Sequence, residues 1–302
     1  MLYKNRENQP FFSVIIPTYN SSEYVGKTLS TVLEQTCKNY EIIVSDDGSS
    51  DNTVEVVKAV FDKYGHRENK ILINSHGGPG VARNKGIEIA SGQWIAFLDS
   101  DDQWYQEKLQ KVADYINQHK EYNVICHSLL YKDKKKIKHF YFYKNFNFKI
   151  PAFLSLYRRN ALTPSSVIIK KTILVEAGLF NVELPSAQDY ELWLRLSLLI
   201  ETRINYIKDI LGISISRENN ISANIEERFR CMKKIGEMYS TKLYGVCTFP
   251  FVEERRFKGE IYTTLGISFI KKGKLKGLYY ILFGIIIWPF RVDLLKKLFT
   301  IN

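Results

Sequence analysis

Trp94-Ile95-Ala96-Phe97-Leu98-Asp99-Ser100-Asp101-Asp102 is the stretch whose reading decides the fold. Five successive apolar residues read as a strand covered on both faces, because burial on both sides removes the usual alternation. The run ends in three carboxylates within four residues. Open α/β sheets hold their ligand crevices at this end of the strand. Carboxylates so crowded repel one another unless a cation, a proton or a hydrogen-bond donor intervenes. Hard oxygen ligands at such a position suit Mg²⁺ or Mn²⁺ carrying a phosphate. The alternative is an acidic turn that caps the next helix.

Working upstream, the same grammar repeats. Phe12 to Pro17 is a short β-type run, and Asn20 with Glu23 three residues on reads as a capping box for a helix carrying Val25, Leu29, Val32 and Leu33. Tyr40 to Ser45 is a second strand that ends at Asp46-Asp47-Gly48-Ser49-Ser50-Asp51, with a helix behind it marked by Val54, Val57, Phe61 and Tyr64. Lys70 to Asn74 makes a third strand, and Gly77-Gly78-Pro79-Gly80 opens a helix expected from about Val81 to Ser91, which Gly92 stops. Strand and helix in strict alternation predict a doubly wound, mostly parallel α/β sheet with helices on both faces. Thr18-Tyr19-Asn20, Asp46-Asp47 and Asp99 to Asp102 all fall at C-terminal strand ends and are expected to line one crevice.

Downstream the order changes. Leu109, Val112, Tyr115 and Ile116 mark a helix, and Asn123 to Cys126 a strand. Residues 131 to 150 interleave lysines with aromatic residues, a pattern that binds single-stranded nucleic acid or forms an antiparallel hairpin with one solvated face. The hairpin is the expectation, with no nucleic-acid partner. Ser165 to Lys170 reads as a further strand. Gln188 and Asp189 then head a helix on which Asp189, Trp193 and Leu196 share one face.

The chain has 302 residues, 45% of them hydrophobic, which is enough for a sizeable core. Its formal net charge of +11 favours phosphate-rich ligands, nucleic acid or an anionic membrane without choosing among them. The four cysteines form no CxxC pair and the five histidines no cluster, so a disulfide frame or zinc site is not expected. The N-terminus lacks a signal-peptide core, which with reduced thiols predicts a cytoplasmic setting. Leu278 to Phe290 is nearly all apolar, preceded by Lys271, Lys272, Lys274 and Lys276 and followed by Arg291, Lys296 and Lys297. It is shorter than the about 20 residues of a membrane span. Residues 275–302 are therefore expected to lie on an anionic leaflet, peripheral at the inner face of the cell membrane. The alternative is a buried helix docked on the preceding domain.

Four motifs, in order, carry a resemblance. Ser13 to Asn20, Asp46 to Asp51, Gly80-Val81-Ala82-Arg83-Asn84-Lys85-Gly86 and Phe97 to Asp102 resemble the nucleotide-sugar domain of family 2 glycosyltransferases over about residues 12 to 215. The resemblance implies a GT-A fold for residues 1–215, followed by a basic helical extension over 216–302. It implies a nucleoside-diphosphate sugar donor, UDP-linked in expectation, and a carbohydrate or lipid-linked acceptor. Pro17, Thr18 and Tyr19 would hold the nucleoside, Tyr19 by packing on the base, and Asp47 or Asp46 would accept from a base N–H. Arg83 would face the nucleotide. Asp99, with Ser100 beside it, would contact the ribose, and Asp101 would carry Mn²⁺ or Mg²⁺. Asp102 would be a second ligand through water.

Relatives carry a Glu-Asp pair at the head of the helix that ends Leu-Trp-Leu-Arg-Leu, and its Asp is the general base. Here the pair is Gln188-Asp189. The resemblance thus assigns Asp189 as base in a single inverting displacement, with Gln188 and Trp193 as supporting or acceptor-side residues. Four other readings fit less well. A phosphatase using Asp99-x-Asp101 as aspartyl nucleophile would carry it on the first strand, which this stretch is not. A dinucleotide fingerprint lacks its third glycine, since Arg83 stands there. A nucleotidyltransferase would carry a glycine- and lysine-rich signature near the N-terminus. A degenerate, non-catalytic sugar-nucleotide binder or scaffold has only Gln188 in its favour.

Overall fold

The computed structural model describes residues 9–65, 68–133, 136–140, 144–216 and 224–290. Tyr141, Phe142 and Tyr143 of the expected hairpin, and Arg291, Lys296 and Lys297 of the expected basic flank, lie outside the described residues.

Phe12–Thr18 (β1) is the centre of a parallel block. It pairs with Tyr40–Asp46 (β2) on one side and with Trp94–Phe97 (β4) on the other, while Asn69–Ile73 (β3) extends the sheet beyond β2. All seven residues of β1 and all seven of β2 are buried, as is all of β4. The missing alternation read in the sequence therefore has its physical cause, a cover on each face. Val14 and Ile16 pack with Val25, Leu29 and Val32 of helix α1 (Val25–Leu33) and with Val57 and Phe61 of α2 (Thr53–Tyr64). Ile15, pointing the other way, meets α3 (Pro79–Ile89) at Gly86, where an added Cβ would come within 2.7 Å of Ile15 Cγ2. Glycine here lets the helix backbone approach the strand.

Beyond β4 the sheet is mixed. Among the described residues its order is β3-β2-β1-β4-β8-β6-β9-β5, with β5 Gln103–Trp104, β6 Val124–Asp133, β8 Val167–Lys170 and β9 Ile204–Ile215. Lys136–Phe140 (β7) pairs antiparallel with β6, from Leu129 opposite Phe140 to Asp133 opposite Lys136. The lysine- and aromatic-rich segment is a hairpin there. Helices α4 (Lys108–Gln118), α6 (Lys171–Glu176) and α7 (Gln188–Ser197) complete this unit.

Two local expectations are corrected. α1 starts at Val25 with Tyr24 as its cap, so Asn20 and Glu23 form no capping box; Asn20 instead takes a left-handed turn, φ 47°, and bonds to the loop after β2. α3 starts two residues earlier than expected, at Pro79, because Pro suits the first turn of a helix and Gly78 supplies φ 89° before it. It also ends at Ile89, ahead of Gly92.

The chain forms two compact units. Residues 1–147, 161–183 and 188–217 make the first, which contains the whole sheet. Residues 148–160, 184–187 and 218–302 make the second. Its helices are α5 (Ala152–Arg158), α8 (Ile225–Ser240), α9 (Pro250–Lys271) and α10 (Lys276–Ile287). Within it Tyr157 stacks on Phe257 at 4.7 Å, and Arg158 Nε donates to Glu253 Oε2 at 3.1 Å. Cys37, Cys126, Cys231 and Cys247 are all free thiols. Among the described residues no helix is long and apolar enough to cross a membrane.

Candidate functional site

The C-terminal ends of β1, β2, β3 and β4 bring four loops together, and hydrogen bonds tie them into a closed ring. From β1 to β2, Thr18 Oγ1 donates to Asp46 Oδ1 at 2.8 Å, and Asn20 N donates to Ser49 Oγ at 2.9 Å. From β2 to the loop before α3, Asp47 accepts from the backbone N–H of Gly77 at 2.9 Å and of Gly78 at 2.8 Å. From α3 to β4, Arg83 Nη2 donates to Asp99 Oδ1 at 2.6 Å. From β4 back to β1, the hydroxyls of Ser21 and Ser100 meet at 2.9 Å, and Thr28 Oγ1 donates to the carbonyls of Ser100 and Asp102.

The ring sorts the acids. Asp46 is buried and accepts from Thr18, from Ser49 N at 2.9 Å and from Ser49 Oγ at 2.6 Å. Asp47 is buried too, and besides the two glycine N–H groups it holds His76 Nδ1 at 2.8 Å. Both carboxylates shape their loops by accepting from protein donors. Asp102 is 5% exposed and accepts from Ser165 Oγ at 2.6 Å and Ile215 N at 2.8 Å, joining the end of β4 to β9. Burial, and then the negative charges of Asp99 and Asp101, push its carboxyl well above the usual range. Asp99, Ser100 and Asp101 are half-buried on the crevice side of this anchor. Pro17 is buried within β1.

Arg83 is 5% exposed and lies over the Phe180 ring at 5.3 Å. Its Nη2 is bonded to Asp99, while its Nε and Nη1 are buried and make no protein hydrogen bond. Donors so placed are costly to leave unmet, and an anionic or hydroxyl-rich ligand would satisfy them.

Tyr19 projects outward, 49% exposed, with its ring stacked on His76 at 4.4 Å and 29°. His76 was not among the residues read from the sequence. Its position at the end of a parallel strand was the available signal, since no motif singles it out.

At the head of α7, Gln188 is buried beside the first turn of α3: a Cβ on Gly80 would lie 3.6 Å from Gln188 Cγ. An uncharged side chain there avoids burying a carboxylate. Asp189 follows in the first turn, half-buried. Trp193 is fully buried, edge-on to Phe180, and its indole N–H has no protein partner. It belongs to the core beneath the helix rather than to an exposed acceptor surface. The helix is pinned by Arg195, whose Nε donates to Glu191 at 2.9 Å and whose Nη2 donates to the Leu179 carbonyl at 2.7 Å.

Among the described residues, no three Asp, Glu, His or Cys side chains gather into a metal cage. The donor set at the end of β4 is nevertheless all oxygen, and its mutual repulsion is what a divalent cation relieves. Mg²⁺-type sites use one or two carboxylates plus substrate phosphates rather than an all-protein cage. The residues present fit that mode.

The model of Glycosyl transferase family 2 matches residues 13–175. The putative teichuronic acid biosynthesis glycosyltransferase TuaG of Bacillus subtilis is 38% identical over 108 residues, 36% of this chain and 42% of that protein. The chain thus spans under half the length of the curated relatives it matches first. In fold, S. aureus TarS 1-349 in complex with UDP-GlcNAc is similar at TM-score 0.66 and 23% identity, over 91% of this chain and 79% of that one. The mannosyltransferase PcManGT from Pyrobaculum calidifontis in complex with GDP-Man and Mn²⁺ is similar at TM-score 0.63 and 16% identity, over 94% and 82%.

Proposed function

Because the chain belongs to glycosyl transferase family 2, we propose that it is an inverting enzyme acting on a UDP-linked sugar. It transfers that sugar to an acceptor hydroxyl in the synthesis of a bacterial surface polysaccharide or glycolipid. Transfer takes place on the cytoplasmic side, at the inner face of the membrane. The observation that carries this reading is the closed ring of loops with Arg83 Nε and Nη1 left as buried, unmet donors. The names of its relatives support the polymer class and the donor class, since TuaG is described by teichuronic acid biosynthesis and TarS by its complex with UDP-GlcNAc.

Each residue has a role in this reading. Tyr19 stacks on the base, with Pro17 and Thr18 setting the strand end that presents it. Asp46 and Asp47 act by holding the Ser49 and Gly77-Gly78 loops, and either can add a bond to a base N–H. Arg83 orients Asp99 toward the ribose and offers its remaining N–H groups to the donor. Ser100 supports the same edge. Asp101 would hold Mn²⁺ or Mg²⁺ together with the diphosphate, and Asp102 anchors Asp101 from below. When bound, such a cation neutralises the charge that develops on the departing diphosphate.

Asp189 accepts the acceptor hydroxyl proton as that oxygen attacks the anomeric carbon. The bond from that carbon to the diphosphate oxygen breaks, its electron pair leaves with the nucleotide, and a single displacement inverts the centre. Trp193 and Gln188 keep the head of α7 in place for this.

Purified protein is screened against UDP-, GDP-, CDP- and dTDP-sugars for slow hydrolysis, and thermal shifts are read with each nucleotide with and without Mn²⁺. Hydrolysis of a UDP-sugar, and Mn²⁺-dependent stabilisation by UDP that Asp101→Ala removes, are expected. Stabilisation indifferent to Mn²⁺ would count against the cation at Asp101. Asp189→Asn is expected to cut turnover by about 10³-fold while nucleotide binding stays within about twofold. Turnover retained in Asp189→Asn removes it as base. Nucleotide binding with no turnover on any donor favours the non-catalytic reading instead.

A further inference from the structure

The second unit presents an apolar helix face whose surroundings identify its occupant. α9 and α10 run antiparallel through the short turn at Lys272 to Leu275, where Gly273 takes φ 71°. They pack backbone against backbone through two glycine pairs. A Cβ on Gly266 would lie 2.5 Å from the Gly277 carbonyl, and one on Gly284 2.8 Å from the Gly259 carbonyl. Ile281, buried between these pairs, packs with Ile267, Ile270 and Ile285. One side of α10 is thereby used up at very close range.

The opposite side is apolar as well, and it is bare. Leu278, Tyr279, Leu282, Phe283, Ile286 and Phe290 recur at helical spacing and are all exposed, Ile286 by 73% and Phe290 by 77%. A soluble helix packed on one side turns polar residues to the other; this one does not. Beside the face, Lys271, Lys272, Lys274 and Lys276 are exposed, and residues 271–290 contain no Asp or Glu. Lys276 pairs with Glu226 at 2.8 Å, and the other three lysines leave the edge net cationic. An apolar, aromatic-bearing stripe next to such an edge is complementary to a bilayer interface with anionic headgroups, which takes the apolar side chains to acyl depth and the ammonium groups at phosphate level. A second protein copy would have to supply acids opposite Lys271, Lys272 and Lys274.

We propose that the outer face of α10 docks on an anionic membrane surface, lying in its plane without crossing it. The Gly266–Gly277 and Gly259–Gly284 contacts hold the face rigid, so docking needs no folding step and loses little ordering entropy. This surface does not depend on the transferase reading, because it is assayed without donor or acceptor.

The test is flotation of the full chain with vesicles of neutral phosphatidylcholine, and with vesicles containing phosphatidylglycerol. Wild type is expected to float with the anionic vesicles and to be released by salt, and Leu282→Glu/Ile286→Glu to lose about tenfold in bound fraction with an unchanged circular dichroism spectrum. Trp94, Trp104 and Trp193 are already buried, so a blue shift of tryptophan emission on adding anionic vesicles reports Trp288. Equal flotation of wild type and double variant overturns the proposal, as does a wild type that floats with neither vesicle. A wild-type dimer in solution that the double variant converts to monomer also overturns it, by assigning the face to a second copy.

Discussion

His76 holds two positions at once: its Nδ1 lies 2.8 Å from the buried Asp47 carboxylate and 3.2 Å from the Asp47 carbonyl, and its ring is stacked under Tyr19. Asp47 is itself fixed by the N–H groups of Gly77 and Gly78, so the orientation of an exposed aromatic pair is set from inside the protein. A stacking partner that arrives pre-oriented keeps most of its contact energy, and aromatic pairs are worth roughly 0.5–1.5 kcal/mol. His76→Ala is therefore expected to weaken UDP binding by about three- to tenfold, read by calorimetry, and His76→Phe by less because it retains the ring. Equal affinity in all three proteins would mean that Tyr19 needs no support. At Asp46 and Asp102 the same scale shows why residue type alone misleads. Each is buried and accepts from protein donors, whereas Asp99, which accepts from Arg83, and Asp101 are half-buried.

At the scale of elements, the end of the sheet opposite the crevice is held by one carboxylate. Glu41 of β2 accepts from Ser13 Oγ of β1 at 2.6 Å, from Ser91 Oγ at 2.7 Å and from Gly92 N at 3.1 Å, and it pairs with Lys70 of β3 at 2.6 Å. Four segments meet on a side chain with no exposed surface. Burial alone would raise its pKa, but hydrogen bonds from Lys70, Ser13 and Ser91 outweigh it and lower the carboxyl to about 2. Gly92 is required in this knot, since a Cβ there would lie 2.5 Å from Ser13 N. Glu41→Gln loses the charge and leaves Lys70 without its partner, for an expected cost of about 2–3 kcal/mol in urea unfolding. A change under about 0.5 kcal/mol would mean the knot is not a stabilising feature. The α7 helix is held in a comparable way through Arg195 and Glu191, which is how the head carrying Gln188 and Asp189 acquires its position.

For the molecule as a whole, His127 and Glu41 lower stability in acid, while Asp102, whose carboxyl burial pushes well above the usual range, acts against them. His127 has no exposed surface, and burial, with the nearby Lys108 charge adding, pushes its pKa from 6.5 to about 3. The folded chain keeps this ring neutral while the unfolded chain takes up a proton below 6.5, so stability is lost as pH falls from 6.5 towards 3. Glu41 is depressed from 4.5 to about 2, so its contribution is intact above 4.5 and is lost as pH falls from there to about 2. Both act in the same direction, and His127 acts first. Urea titrations are expected to show wild type losing more stability between pH 6 and 5 than His127→Phe, by up to about 1.4 kcal/mol per pH unit, with the Glu41 loss below 4.5 retained in both. An unflattened limb in His127→Phe would assign the loss to other groups.

Much of this architecture was legible in the order of residues. Apolar runs without alternation marked β1, β2 and β4, helical spacing marked the segments between them, and the polar clusters fell at the C-terminal ends that a parallel sheet gathers together. Those signals are local, and a period of two or 3.6 residues needs only near neighbours. β5 and β9 escaped because Gln103-Trp104 is too short to show a period and β9 is defined by its partners β5 and β6. The membership of residues 148–160 and 184–187 in the helical unit escaped as well. By itself, then, the sequence determined the strand and helix alternation, the placing of the acids in one crevice and the family. Only the tertiary structure decided which acids are consumed by hydrogen bonds, that His76 underlies Tyr19, and which side of α10 is left bare. Each of those depends on a donor, a ring or a glycine tens of residues away, and a hydrogen bond or a close contact exists only once the chain has brought both partners together.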